Sequence, residues 1–259
     1  MTALTPAQRV LVTAAASGIG SVIAGQFAAA GARVHVCDVD PDALARQRDT
    51  QPTITGSLVD LADGAAVTTW CAEAIDDLGG VDVLVNNAGI AGPTAFVEDV
   101  EPDDWRRCLA IGLDSHYLTC RTVAPVMKQQ NAGSIVNISS TAGQYGYGQR
   151  SPYAAAKWAV IGLTKSLAIE LGPHNVRVNA ICPGSVTGDR MKRVIAAQAA
   201  NRGVPDEVVE QEYTASQSIR RFVDPHEIAD MAVFLASPQA AMVSGQVIAV
   251  DGNTETYHL

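Results

Sequence analysis

Seven short runs, most of them rich in β-branched and apolar residues, alternate along the chain with longer stretches of helical period, and that alternation limits the folds it can adopt. The strand candidates are Val10–Thr13, Arg33–Asp38, Thr53–Ser57, Val81–Asn86, Ser134–Ile138, Val176–Ile181 and Val247–Val250. Helical pattern occupies residues 18–30, 41–48, 62–78, 103–130, 153–171 and 225–236 between them. A strand wetted on one face alternates polar and apolar residues. Most of these strands do not, so both faces of the sheet must be covered. With a helix between most successive strands, the pairing should be parallel. The expectation is an α/β fold, a doubly wound sheet of seven mainly parallel strands with helices on both faces.

The chain has 259 residues, 47% of them hydrophobic, enough for one large core. No linker, repeat or low-complexity stretch divides it, so residues 1–259 are expected to form a single domain. One segment breaks the rhythm. Between Thr187 and Pro225 there is no strand, only polar helical pattern interrupted by Gly203-Val204-Pro205. An extra helical excursion over about 188–222 is the expected substrate lid.

The formal charge of -9 argues against nucleic acid or an anionic membrane as partner. No run reaches the roughly 18 apolar residues of a membrane span, and residues 1–8 lack the cationic start and apolar run of a secretion signal. Cys37, Cys71, Cys108, Cys120 and Cys182 form no CxxC pair and read as small apolar residues in a reducing cytoplasm. The histidines are scattered, and no metal is assigned.

Thr13–Gly20 directly follows the first strand and opens a helix. Glycines in such a turn, here Gly18 and Gly20 beside Ser17 and Ile19, let backbone N–H groups approach a pyrophosphate on the helix N-terminus. Asp38 closes the second strand, 18 residues after Gly20. A carboxylate there accepts from both hydroxyls of an adenosine ribose and repels a 2′-phosphate. Neither the turn nor the residues after Asp38 supply a Lys or Arg, so the expected cofactor is NAD rather than NADP. Strand, turn, helix and terminal acid together mark a Rossmann-type nucleotide site.

Farther along stand Ser140, Tyr153 and, one helical turn beyond the tyrosine, Lys157. A phenol ionises near 10, too high for a base near neutral pH. An ammonium four residues along the same helix face favours the phenolate. Ser151-Pro152-Tyr153 reads as an N-cap, a first-turn proline and a first-turn side chain, so the helix dipole should press the same way. Bringing that value near 7 takes roughly 4 kcal/mol, more than one exposed lysine supplies. A buried site holding a second positive group, such as an oxidised nicotinamide ring, is expected to supply the rest. The implied chemistry is alcohol oxidation by hydride transfer.

Taken together, Thr13–Gly20, Asp60-Leu61, Asn86-Asn87-Ala88-Gly89, Ser140, Tyr153-x-x-x-Lys157 and Pro183-Gly184-Ser185-Val186-Thr187 resemble the short-chain dehydrogenase/reductases. The likeness is to their single-domain branch and extends to the Ser244–Gly252 ending. It implies that Ser140 holds the substrate oxygen, Tyr153 exchanges its proton, and Lys157 lowers the tyrosine and binds the nicotinamide ribose. It also implies that Asp60 and Leu61 face the adenine, that Asn86, Ala88 and Gly89 line the cofactor floor, and that Pro183, Gly184, Val186 and Thr187 hold the nicotinamide end. Ser140 is chosen over Ser139 because the family places its serine thirteen residues before the tyrosine; Ser139 is expected to be structural. Relatives of this kind are usually homotetramers packed through the two long helices, 103–130 and 153–171 here.

Two positions depart from the family. Ala14 stands where the turn has its first glycine, and its methyl is expected to crowd the phosphate approach. Gly112 stands where the family has an asparagine that anchors a water beside the lysine. Either water alone, or Ser115 or His116, is expected to carry that relay, or Gly112 simply preserves a helix kink and little else changes, the reading slightly preferred.

Gln144, Tyr147, Arg150 and Arg190 are the expected substrate contacts, the two arginines for an anionic group. The leading reading is an NAD-dependent dehydrogenase of a secondary alcohol: a polyol, sugar derivative or hydroxy acid. A 3-oxoacyl reductase is the second, against which Asp38 and the acidic charge speak. A dinucleotide-sensing protein that has lost the chemistry is the third.

Overall fold

The computed structural model describes residues 7–254. Most of the leader reading for residues 1–8, and the two ends of the expected domain (1–6 and 255–259), lie outside the described residues.

The strands are β1 (Arg9–Thr13), β2 (Arg33–Asp38), β3 (Ile54–Leu58), β4 (Val83–Asn86), β5 (Gly133–Ile138), β6 (Val176–Pro183) and β7 (Val247–Val250). They form one sheet in the order β3-β2-β1-β4-β5-β6-β7, with every neighbouring pair parallel. The order reverses between β1 and β4. The strand ends there leave a crevice at their carboxyl side, where nucleotides bind in open parallel sheets.

The two faces divide the core as continuous apolar strands require. Val10 and Val12 pack on one face with Ile23 and Phe27 of α1 (Gly18–Ala29) and with Ile228 and Leu235 of α9 (Pro225–Ala236). Leu11 points to the other, against Trp70 of α3 (Gly64–Leu78) and Val123 and Met127 of α5 (Ser115–Gln130). Burying each such side chain contributes about 2–3 kcal/mol. The helix α2 (Pro41–Thr50) is capped by Asp40, whose side chain accepts from Asp42 and Ala43 N–H.

The expected helix 103–130 is not continuous. α4 (Pro102–Leu109) passes through a wide π-turn, Ala110–Asp114, before α5 begins. Gly112 lies inside that turn, where a Cβ would come within 3.2 Å of Ala156 Cβ on α6 (Ser151–Leu171). The glycine therefore permits a close helix crossing that an asparagine would have to push apart. π-turns of this kind cluster at functional sites.

Residues 189–215 form α7 (Asp189–Arg202) and α8 (Asp206–Ala215), broken at Gly203 with φ +65. Gly203 ends α7 in the left-handed conformation and Pro205 precedes α8, as the Gly-Val-Pro sequence suggests. This pair has its own small core of Ile195, Ala199 and Val209.

Candidate active site

Most groups of the site come from the carboxyl end of a strand or from the loop and helix start that follow it. The first is the turn Thr13–Gly20. A Cβ on Gly20 would fall 2.5 Å from the Ala14 carbonyl oxygen and 2.8 Å from Ala15 Cα, so only glycine lets α1 start this close to β1. Gly18 has φ +57 with open space around its missing side chain, and Ser17 makes no side-chain cap to the first turn. The first-turn N–H groups are thus left for an anion.

Ala14 also has positive φ, +51, the reason a glycine is usual there. Its methyl packs against the core cluster below the sheet. Its departure from the family is therefore expressed as backbone strain rather than as the expected crowding of the phosphate approach.

Asp38 accepts from Ala16 N–H at 3.0 Å and from Val39 N–H at 2.8 Å, tying the end of β2 to the turn. No ion pair among the described residues involves it. Asp60 is exposed, 4.0 Å from an Arg107 guanidinium nitrogen, and Leu61 beside it is buried. Asn86 is fully buried, and its side chain donates to Asn137 and accepts from Thr119. It is its neighbour Asn87 that reaches the turn, donating to the Ala14 carbonyl at 2.8 Å. Ala88 is buried, and a Cβ on Gly89 would meet Lys157 Nζ at 3.0 Å. Pro183 ends β6, and Gly184 packs so tightly on Asp251 that a Cβ would sit 2.8 Å from its Cα. Val186 bridges to Val223, and Thr187 N–H donates to the Val223 carbonyl.

Ser140, at the end of β5, accepts from Ala142 N–H at 3.1 Å. Ser139 is buried and donates to the Lys157 carbonyl, holding β5 against α6. That helix begins one residue earlier than expected: Arg150 is the cap, and the Ser151 hydroxyl is buried without a partner. Tyr153 stays in the first turn.

Lys157 is only 3% exposed and donates to the Ile138 carbonyl at 2.8 Å and more weakly to that of Ala88 at 3.4 Å. Its Nζ lies 5.9 Å from the centre of the Tyr153 ring. Two further cations surround the same ring, with Arg150 Cζ at 5.9 Å and Arg190 Cζ at 5.6 Å. Desolvation works against ionising Tyr153, but Arg190, Lys157, the Ser140 hydroxyl and Arg150 together outweigh it and hold the phenol below its ordinary value. Burial likewise lowers the Lys157 ammonium, partly offset by Tyr153.

The sequence missed the number of cations at this ring. It also missed how His116 is held. His116 is fully buried and donates from Nε2 to the Ala88 carbonyl at 3.0 Å, the carbonyl that Lys157 also contacts, while its Nδ1 has no partner. Burial and the Lys157 charge push it down to about 3, so it is a neutral ring. Ser115, the first residue of α5, donates to the Ile111 carbonyl in the π-turn.

Toward the substrate side, Gln144 has a buried Oε1 without a partner. Tyr147 and Tyr213 of α8 share a hydrogen bond between their hydroxyls, and Gln198 of α7 reaches the Tyr147 oxygen at 3.4 Å. Arg190, in the first turn of α7, donates to the Gly89 carbonyl at 3.0 Å and so spans the crevice. All five cysteines are buried free thiols. No group of metal-ligating side chains gathers among the described residues.

Residues 13–253 match a family model described as enoyl-(acyl carrier protein) reductase. D-beta-hydroxybutyrate dehydrogenase of Cupriavidus necator is 38% identical over 248 residues, spanning 93% of this chain and 95% of that protein. 2-Keto-3-deoxy-L-fuconate dehydrogenase of Xanthomonas campestris is 37% identical over 246 residues, 95% of this chain and 79% of that protein. The solved structure of NAD+-bound xylitol dehydrogenase superposes with a TM-score of 0.91 at 30% identity, covering 96% of this chain and 99% of its own. An actinorhodin polyketide ketoreductase solved with NADPH gives 0.90 at 32% identity, covering 95% and 96%. The likeness runs from the first strand to the last, and the chain belongs to the short-chain dehydrogenase/reductase family of oxidoreductases, whose members use nicotinamide cofactors.

Proposed function

We propose that the chain is an NAD-dependent dehydrogenase/reductase that interconverts a secondary alcohol and a ketone, with Tyr153 as the general base and acid. The observation that carries this reading is a phenol held below its ordinary value by three surrounding cations at the mouth of the nucleotide crevice.

The crevice suits a dinucleotide. Uncapped first-turn N–H groups and the open space over Gly18 accept a pyrophosphate, and Gly89 clears the way to Lys157. Asp38 would hold the ribose, Asp60 and Leu61 the adenine, and Pro183, Gly184, Val186 and Thr187 the nicotinamide end. Asn86 acts through its backbone, because its side chain is spent on Asn137 and Thr119. The carboxylate of Asp38, with no paired cation to offset it, favours NAD over NADP. When bound, NAD supplies the acceptor for a hydride.

The chain's own residues handle the proton. Ser140 orients the alcohol oxygen, Tyr153 Oη takes the hydroxyl proton as the carbinol C–H bond breaks, and the C–O bond becomes a carbonyl. Lys157 stabilises the phenolate and is held in place by the Ile138 and Ala88 carbonyls. His116 fixes the Ala88 carbonyl from the other side, taking up part of the positioning that an asparagine at 112 gives elsewhere in the family. α7 and α8 act as the lid, latched by Tyr147 and Tyr213.

The same reaction run as ketone reduction is the activity of a ketoreductase, and Asp38 weighs against the NADPH such enzymes favour. Retention of Ser140, Tyr153 and Lys157 weighs against a purely sensing role. Exposed Trp158 and Ile169 on α6 and Tyr117 on α5 suit a homotetramer built through those helices in the cytoplasm. The test is reduced-cofactor absorbance with NAD or NADP and a panel of secondary alcohols and ketones. Turnover with NAD and its loss in Tyr153→Phe are expected; cofactor binding without turnover of any alcohol or ketone would favour the sensing role.

A further inference from the structure

Arg150 is 4% exposed, yet its guanidinium makes one hydrogen bond, from Nη1 to Thr94 Oγ1 at 2.8 Å. Its Nε is buried without a partner, and no carboxylate pairs with it among the described residues. A guanidinium cannot shed its proton to escape this cost, and an uncompensated buried charge is strongly destabilising. The folded chain therefore holds a cation whose counter-ion it does not itself supply.

The Tyr153 phenolate does not balance it. A single phenolate charge would have to offset Arg150, Arg190 and Lys157, which lie 5.6 to 5.9 Å from its ring centre, and an oxidised nicotinamide would add a further positive charge. The excess sits where the substrate must lie, in a chain that is otherwise acidic, so the site attracts an anion that most of the surface repels. Arg150 also stacks over Tyr147, its Cζ 5.6 Å from that ring, and Tyr147 is the residue latched to the lid. Arg190 belongs to the lid itself.

We propose that Arg150, assisted by Arg190, forms an anion subsite for a carboxylate on the substrate, so that the alcohol oxidised is a hydroxy acid rather than a neutral polyol or sugar. This rests on the dehydrogenase reading and narrows it. Planar, forked donors match a carboxylate in two-point geometry. With the lid latched, Arg190 stands over the same Tyr153 ring as Arg150, its Cζ 5.6 Å from the ring centre.

The experiment uses the full chain with NAD and matched pairs of substrate: 3-hydroxybutyrate, lactate and 4-hydroxycyclohexanecarboxylate, each beside its methyl ester, together with xylitol. At least one acid should exceed its ester in kcat/KM by 10-fold or more. Arg150→Gln should lower that acid's kcat/KM by about 100-fold, mainly through KM, and the ester's only a few-fold. Arg150→Lys should recover part of the loss, and Arg190→Gln should show a smaller KM effect. Esters or xylitol used as well as the acids would overturn the proposal. So would Arg150→Gln lowering acid and ester alike while moving both pH profiles upward, because Arg150 would then serve only to acidify Tyr153.

Should Arg150→Gln fail to fold, the acid-to-ester ratio of the parent and the Arg190→Gln effect decide. Should no alcohol or ketone turn over at all, the dehydrogenase reading fails separately, and thermal shift of the NAD complex by cyclohexanecarboxylate decides this one. A saturable shift absent in Arg150→Gln keeps the subsite; no shift in the parent removes it.

Discussion

The nucleotide end and the lid are built from different materials. At the nucleotide end, backbone sets the geometry: Gly20 against the Ala14 carbonyl, Asp38 tied to Ala16 N–H, Asn87 on the Ala14 carbonyl, all over a core of fully buried strand residues. The lid rests on three buried residues of its own and reaches the body through a few side chains, among them Tyr213 to Tyr147 and Arg190 to Gly89. Elements with few buried apolar contacts open first. The difference teaches that the reaction class is written into the rigid half. Under the proposed function the choice of substrate is shared between Arg150, at the cap of α6 in the body, and Arg190 on the lid.

That contrast is sharpened most by Tyr153→Phe, which removes the proton acceptor and leaves both halves intact. Alcohol oxidation should fall by about 1000-fold while NAD binding, read by fluorescence, changes little. Next is Gly20→Ala. Its Cβ cannot fit beside the Ala14 oxygen, so α1 must move, and NAD affinity should drop by at least tenfold. A lid variant, Tyr213→Phe, should do the reverse: substrate KM rises a few-fold with NAD affinity unchanged, because only the latch to Tyr147 is lost. An equal loss of NAD affinity in Tyr213→Phe would dissolve the distinction between the halves. The smallest effect is expected for Ala14→Gly. Relief of the positive φ, worth about 1 kcal/mol, is offset by glycine's added chain entropy, and thermal unfolding should show stability unchanged or raised by up to about 1 kcal/mol.

The rigid half was also the legible one. The short apolar and β-branched runs marked all seven strands to within two residues at either end, since strands covered on both faces leave little polar alternation to confuse them. Even there, side-chain direction was hidden. Asn86 and Asn87 are adjacent, and only pairing with β5 turns Asn86 into the buried network and leaves Asn87 for the turn. The π-turn at Gly112 could be read from sequence only as a kink, because its cause is the neighbouring Ala156. Arg150 was legible as a cation on the substrate side, but its surroundings were not. That it is buried with an unpaired Nε depends on the lid and loop closing around it, which no local pattern encodes.

The central claim is that Tyr153 ionises below its ordinary value because cations surround it. Arg190 is the strongest of those influences, so its removal should raise the value, and base catalysis should then need higher pH. An ultraviolet titration of tyrosinate absorbance, parent minus Tyr153→Phe, reads this without any substrate. The expected result is one phenol ionising below 10, missing from Tyr153→Phe and displaced upward in Arg190→Ala. A difference spectrum that titrates at 10 or above, and does not move in Arg190→Ala, would contradict the account.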